Sequence, residues 1–259
     1  MLSYQHIYHA GNMADLHKHA LLATMLTRMT AKPKPMSYVE THAGRGLYDL
    51  NAPEALRTGE AQSGITRALG AGWFGTDHPL MQALELVRAE AGPGAYPGSP
   101  RIAAALLRPG DTMHLAELHP GEHAALVAAM RGTGARVYPQ DGFTMAHSIC
   151  PPVPRRGLML VDPSWEVKSD YQTIPPAIAK LHRKWNVGVI ALWYPILRDN
   201  RHRAMLDRLD SGFPDALRSE ISFPPARAGH GMVGSGMFIL NPPWGLAEEA
   251  ARLKHVFGG

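Results

Sequence analysis

Apolar residues recur at Leu16, Ala20, Leu21, Leu22, Met25 and Leu26, a spacing of three and four that predicts an opening helix over 14–29. Asn12 or Asp15 serves near its start. Beyond it, short apolar runs at 36–40, 112–118, 135–138, 157–162, 187–194, 217–223 and 236–240 predict seven strands. Helical patterns separate most of them, as at 121–130, 171–185 and 200–209. That alternation is expected of a mainly parallel sheet with helices on both faces. Pro224-Pro225-Ala226-Arg227-Ala228-Gly229-His230-Gly231 joins the last two strands without a helix, so they read as an antiparallel pair.

The first strand candidate ends in Thr41-His42-Ala43-Gly44-Arg45-Gly46, a glycine-rich turn that lets backbone N–H groups approach a ligand closely. In dinucleotide-type folds an acidic residue for the ribose follows such a turn by about 20 residues. Glu117, the nearest good candidate at a strand end, lies 73 positions after Gly44. The excess implies an insertion. Residues 51–94, with helical stretches at 63–69 and 79–91 and a break at Gly92-Pro93-Gly94, read as a small helical subdomain; residues 1–50 and 95–259 form the main domain. A parallel sheet closed by a terminal hairpin has the element order of class I S-adenosylmethionine-dependent methyltransferases, an analogy of order only.

Composition narrows the class. The 259 residues are 45% hydrophobic and 19% charged, without a repeat or low-complexity tract, which suits a globular chain with a full core. Against 22 Asp and Glu stand 26 Lys and Arg, and the net charge of +4 leans toward a polyanionic partner. The single cysteine, Cys150, excludes a disulfide framework and a thiolate metal cluster and suits a reducing cytoplasm. It precedes Pro151 instead of following a proline, so a Pro-Cys nucleophile for pyrimidine C5 is absent and a small apolar role is expected. The first residues lack a charged segment followed by an apolar one, and no apolar run is long enough to span a bilayer. Neither secretion nor membrane insertion is expected.

The run Gly157-Leu158-Met159-Leu160-Val161 ends in Asp162-Pro163-Ser164-Trp165, which delivers a carboxylate and an aromatic ring to one spot. An exocyclic base amine is a poor nucleophile because its lone pair is delocalised into the ring. A site that alkylates it has to accept its N–H bonds while holding the ring still. Asp162 and the Pro163 carbonyl suit the first task and Trp165 the second. Alone, the tetrad reads equally as a strand end with a proline turn and a core tryptophan. Context favours the chemistry: Glu117, Asp141 and Asp162 are three acidic strand ends in series at the carboxyl edge, where α/β ligands bind. Glu117 suits ribose hydroxyls, Asp141 the adenine ring of a cofactor, and Asp162 the reacting amine.

Residues 4–19 hold Tyr4, His6, Tyr8, His9, His17, Lys18 and His19. No metal is expected there, because His17 and His19 project to different sides of a helix and no carboxylate or cysteine pattern matches. A surface helix is the expectation, with Lys18 and His19 upstream of the glycine turn and within reach of a carboxylate or phosphate. His42 reads equally as a strand-end histidine bonded to backbone or as a ligand contact. Asn241-Pro242-Pro243-Trp244 also follows an apolar strand and resembles an amine-methylating tetrad more closely than Asp162 to Trp165 does. Chain order assigns it a structural role at the end of the last strand. The basic clusters at Arg155-Arg156, 180–184 and 198–208 each read first as a solvated face, and the loop 224–234 as either a closing segment or a mobile hairpin.

The strings Leu2-Ser3-Tyr4, His9-Ala10-Gly11-Asn12, Lys18-His19, Thr41-His42-Ala43-Gly44, Arg57-Thr58-Gly59-Glu60, Tyr96-Pro97-Gly98-Ser99-Pro100, Glu117-Leu118-His119-Pro120, Asp141-Gly142-Phe143 and Ala191-Leu192-Trp193-Tyr194-Pro195 resemble the RlmJ family over nearly the whole chain. The resemblance implies an α/β, Rossmann-like class I fold with a helical insertion. It implies S-adenosyl-L-methionine as cofactor, and methylation of the N6 amine of one adenine in 23S rRNA by a cytoplasmic monomer. It carries cofactor contacts to His19, His42, Ser99, Glu117, Asp141, Gly142 and Asp162, with Gly44 supplying the turn. Tyr4 and Lys18 join Asp162, Pro163 and Trp165 in the catalytic pocket. The family's Asp-Pro-Pro-Tyr tetrad is replaced here by Asp162-Pro163-Ser164-Trp165: the tryptophan keeps a stacking face without the phenol, and Ser164 lacks a second proline's rigidity. The resemblance also leads one to expect a longer segment after Trp244. A DNA adenine-N6 methyltransferase and a non-catalytic RNA-binding protein of the same fold are the rival readings. A nicotinamide oxidoreductase fits less well, since Asp49 stands where a third glycine is needed.

Overall fold

A computed structural model describes residues 5–225 and 231–258. The chain opens with α1 (Met13–Thr30) and β1 (Ser37–Glu40), then β2 (Leu47–Asp49). A helical stretch follows: α2 (Pro53–Thr58), a π turn (Gln62–Thr66), α3 (Arg67–Gly70) and α4 (Pro79–Ala91). After β3 (Ala95–Pro97) and α5 (Ser99–Leu106), strands and helices alternate as β4 (Thr112–Ala116), α6 (Pro120–Ala129), β5 (Arg136–Tyr138), α7 (Gly142–Ile149), β6 (Gly157–Val161), α8 (Asp170–Lys184), β7 (Val189–Leu197) and α9 (Arg203–Gly212). The hairpin β8 (Leu217–Ser222) and β9 (Met232–Leu240) precedes α10 (Leu246–Gly258).

Seven strands form one sheet in the order β5-β4-β1-β6-β7-β9-β8, and β2 pairs with β3 in a separate ribbon. The first five of that order are parallel; β9 runs antiparallel to both β7 and β8. Alternate residues face opposite sides, so Leu158 and Leu160 enter the core shared with α1, α4, α5 and α10. Met159 and Val161 enter the one shared with α8 and α9. Both faces are covered, which is why the parallel strands read as continuous apolar runs.

The expected seven strands and terminal hairpin are present, and the departures have local causes. β9 begins at Met232 because Gly234 and Gly236, which interrupt the apolar pattern, are close-approach residues. A Cβ on Gly236 would lie 2.1 Å from the Tyr194 ring, and one on Gly234 2.4 Å from the Ile221 carbonyl oxygen. The ribbon β2–β3 and helices α5, α7 and α10 were not predicted; α5 and α7 have only 8 residues each, too few to show a period.

The expected surface helix at the start of the chain is overturned. α1 is buried from Met13 to Leu26, packed against β9 and covered by α4, α5 and α10. Its amino end is fixed by Asn12, whose side chain accepts from the Asp15 N–H at 2.9 Å. His17 therefore lies inside, with Nδ1 3.0 Å from Ser235 Oγ and Nε2 3.0 Å from Ser219 Oγ. Burial pushes its pKa down to about 3, so it is neutral. Cys150 is buried as well, and burial pushes its thiol up to about 12. Among the described residues no helix is long and apolar enough to cross a membrane.

Candidate active site

The register aligns the carboxyl ends of β4, β1 and β6: Glu40 lies opposite both Leu115 and Leu160. Whatever follows these strands converges at one edge. A cavity of about 540 Å3 opens there, a size ordinary for a small-molecule site.

After β1 the chain turns through Gly44 at φ 59°, where a Cβ would come within 2.8 Å of the Tyr48 hydroxyl. The Gly44 N–H donates to Glu117 Oε2 at 2.8 Å, and Glu117 Oε1 accepts from the His119 N–H at 2.8 Å. Glu117 thus ties the glycine turn to the entry of α6. Burial raises its pKa, opposed by these two bonds. Each carboxylate oxygen retains a further lone pair for a ligand hydroxyl. Asp141 caps α7 by accepting from the Thr144 N–H at 2.7 Å. Gly142 lets that helix sit against β1, since a Cβ there would lie 1.9 Å from the Thr41 carbonyl oxygen. Ser99 opens α5, and the Gly98 N–H donates to the Gly46 carbonyl at 2.9 Å, bringing that helix start to the glycine turn.

A charged network runs from α1 to the end of β6. Lys18 Nζ lies 2.6 Å from Asp162 Oδ2 and 3.1 Å from Asp15 Oδ1. Asp15 Oδ2 accepts from His6 Nε2 at 2.8 Å and from the Gly11 N–H at 2.9 Å. Burial works against the Lys18 charge, but Asp162 and Asp15 outweigh it and its pKa is raised. Burial likewise opposes the Asp15 charge, yet His6 and Lys18 hold its carboxyl well below the usual range. His19, with Nδ1 3.0 Å from the Tyr96 hydroxyl, is pushed down to about 3 by burial and stays neutral. Asp162 Oδ1 has no bonding partner among the described residues.

Trp165, in left-handed backbone at φ 59°, is only 7% exposed. Its ring lies 4.6 Å from that of Tyr171, tilted by 32°. Trp165 Nε1 and the Tyr171 hydroxyl are buried without a hydrogen-bond partner among the described residues. Trp165 is thus both a core residue and a wall of the cavity. His42 lies against Thr41 Oγ1 at 2.8 Å and edge-on to Phe143, and burial lowers its pKa.

Lys18, His19, His42, Gly44 and Ser99 all line this one cavity with Glu117, Asp141, Gly142, Asp162, Pro163 and Trp165. Tyr4 lies outside the described residues. Three further participants lie outside the sequence-based expectations. Asp15, seen only as a helix-start residue, is the second anion of Lys18. Tyr171, hidden in a helical pattern, backs Trp165. Glu40, fully buried, accepts from the Tyr38 hydroxyl at 2.8 Å and from the Ser99 hydroxyl. Burial pushes its carboxyl up to about 8. The available signal was a carboxylate placed immediately before the glycine turn.

Asn241-Pro242-Pro243-Trp244 belongs to the opposite edge. β9 runs the other way, and Leu240 lies opposite Ile190 near the start of β7.

Comparison with known proteins agrees with this architecture. A crystal structure of a Legionella pneumophila protein superposes with a TM-score of 0.86 at 32% identity, covering 95% of this chain and 92% of that one. An S-adenosylmethionine-dependent methyltransferase from Agrobacterium tumefaciens, 9% identical, gives a TM-score of 0.51 over 89% of this chain and 62% of that one, a likeness of fold alone. The sequence is 39% identical to the ribosomal RNA large subunit methyltransferase J of Escherichia coli, over 96% of this chain and 90% of the relative. Against the Haemophilus influenzae protein of the same description the identity is 36%, with the same coverage. A family model described as ribosomal RNA large subunit methyltransferase D, RlmJ, matches residues 33–257. With a class I methyltransferase fold and a family match along most of its length, the chain belongs to the RlmJ family of ribosomal RNA large subunit methyltransferases.

Proposed function

We propose that this chain transfers a methyl group from S-adenosylmethionine to the N6 amine of one adenine in 23S rRNA. The observation that carries the reading is Asp162: it stands at the carboxyl end of β6, fixed by Lys18 through Oδ2, with Oδ1 unpartnered among the described residues, and it lines one cavity with Trp165. Asp162 Oδ1 and the Pro163 carbonyl accept the two N–H bonds of the amine. Trp165, backed by Tyr171, offers its other face to a captured, unpaired adenine. Lys18 is a donor only and acts by holding the carboxylate in place; the family resemblance assigns Tyr4, which lies outside the described residues, to the same chemistry.

The cavity suits the cofactor. Glu117 takes the ribose hydroxyls with its remaining lone pairs, Asp141 and Gly142 face its adenine, and His19, His42, Gly44 and Ser99 line the rest. S-adenosylmethionine, when bound, supplies a sulfonium methyl that is already an activated electrophile. The protein's share is then to hold the amine in line, exclude water and accept the amine's proton. Residues 51–94 form the insertion beside this edge.

The test is transfer of labelled methyl to protein-free 23S rRNA with duplex DNA as competitor. Label is expected in RNA as N6-methyladenosine, and Asp162→Asn is expected to reduce it by roughly 10²- to 10³-fold. Label in DNA, in another nucleoside, or undiminished in the variant would overturn the reading.

A further inference from the structure

The tetrad Asn241 to Trp244 is built more rigidly than a strand end requires. Asn241, at φ 52°, donates from Nδ2 to the Asn186 carbonyl at 2.9 Å and the Gly188 carbonyl at 2.8 Å. Two prolines follow, and Gly245 turns the chain at φ 80° into α10. This frame holds the Trp244 indole 85% exposed, the most exposed large apolar side chain described. Arg28, from the last turns of α1, lies over that ring at 5.5 Å from its centroid. Gly245 makes room for it, since a Cβ there would sit 2.6 Å from the guanidinium carbon.

Hydrogen bonds tie further cations to the same edge. Arg155 donates to Asn186 Oδ1 at 3.3 Å, next to the Asn241 anchor. Arg156 donates to the carbonyls of Met29 and Lys34, and Arg108 to those of Thr30, Lys32 and Lys34. Lys32 and Lys34 themselves are exposed. Against these cations stand Asp111, engaged by Arg108 and by the Met36 N–H, and exposed Glu248 on the first turn of α10. A base-sized aromatic face with clustered cations around it fits a flexible polyanion with stackable bases.

We propose that this amino edge of the sheet, centred on Trp244 and Arg28, binds a single-stranded segment of the RNA away from the target nucleotide. One base stacks on Trp244, and the phosphates lie along Arg155, Lys32 and Lys34. The edge is separated from the cavity by the length of β6, five residues or about 17 Å. The assignment rests on the reading of the substrate as RNA, and it adds a second hold that gives long RNA an advantage over a short one.

The test uses the full chain and labelled oligouridylate, which contains no adenine and so reports this surface apart from the pocket. Trp244→Ala is expected to weaken its binding about tenfold, while Trp244→Phe retains most of it. The pair Lys34→Gln and Arg155→Gln should lower the salt dependence by about one per lost phosphate contact. Trp244→Ala should also raise KM for 23S rRNA with kcat unchanged, with thermal unfolding and cofactor affinity like wild type. Failure of the wild type to bind oligouridylate, or unchanged binding and KM in Trp244→Ala, overturns the proposal. Failure of the wild type to methylate 23S rRNA counts against the proposed function instead, and the oligouridylate titration still decides the surface.

Discussion

Two tetrads, Asp162-Pro163-Ser164-Trp165 and Asn241-Pro242-Pro243-Trp244, share a plan and end in opposite situations. Each follows an apolar strand, contains one residue in left-handed backbone and closes with tryptophan. The first puts its tryptophan against Tyr171 at 7% exposure, beside a carboxylate held by a buried ammonium. The second presents its tryptophan to solvent at 85% exposure, with an amide spent on two backbone carbonyls. Strand direction makes the difference. β6 delivers its last residue to the edge where Glu40, Thr41 and Glu117 also end, whereas antiparallel β9 delivers Asn241 to the edge where β7 begins. Similar local sequence therefore carries no function until the sheet gives it an address.

The largest contrast is expected in turnover. Asp162→Asn should reduce methyl transfer by roughly 10²- to 10³-fold, the scale for losing one polar group that meets the reacting centre. Asn241→Asp, the change that makes the other tetrad look catalytic, should leave single-turnover rates as they are. A rate lost equally in both variants would break the comparison.

Stability supplies the next contrast, read by urea unfolding. Lys18→Met leaves Asp15 and Asp162 without their shared cation and should cost about 3–5 kcal/mol. Arg28→Met, at the exposed edge, removes a cation whose main partner is a solvated ring and should cost under about 1 kcal/mol.

A further contrast lies in pH dependence. Glu40, pushed up to about 8 by burial, keeps its proton in the folded state over a range where the unfolded carboxyl, near 4.5, has lost it. The folded state binds more protons there, so stability falls as pH rises from about 4.5 to 8. His17 and His19, both pushed down to about 3, act oppositely: the unfolded state takes up their protons below about 6.5, and stability falls as pH drops from there. Wild type should thus lose stability between about pH 6.5 and 8. Glu40→Gln should flatten that limb while leaving the acid limb in place, and a limb unchanged in the variant would remove Glu40 as its cause.

The sequence by itself determined the strand and helix alternation, the antiparallel last pair and three acidic strand ends, because parallel strands buried on both faces are continuous apolar runs that stop where the polar edge begins. Chain order also led to the expectation that the Asp162 tetrad is the chemical one and the Asn241 tetrad the end of the last strand, and the sheet places the two at opposite edges. Only the tertiary structure decided the environment of α1. Helical spacing shows which residues share a face, but α1 is enclosed by β9, α4, α5 and α10, from elements more than forty residues away, so Asp15, His17 and Lys18 became buried polar groups. The same limit hid Glu40 and Tyr171. Glu40 takes its role from Ser99, 59 positions away, and Tyr171 from Trp165 across the irregular turn that leads into α8, contacts that helical or strand periodicity does not encode.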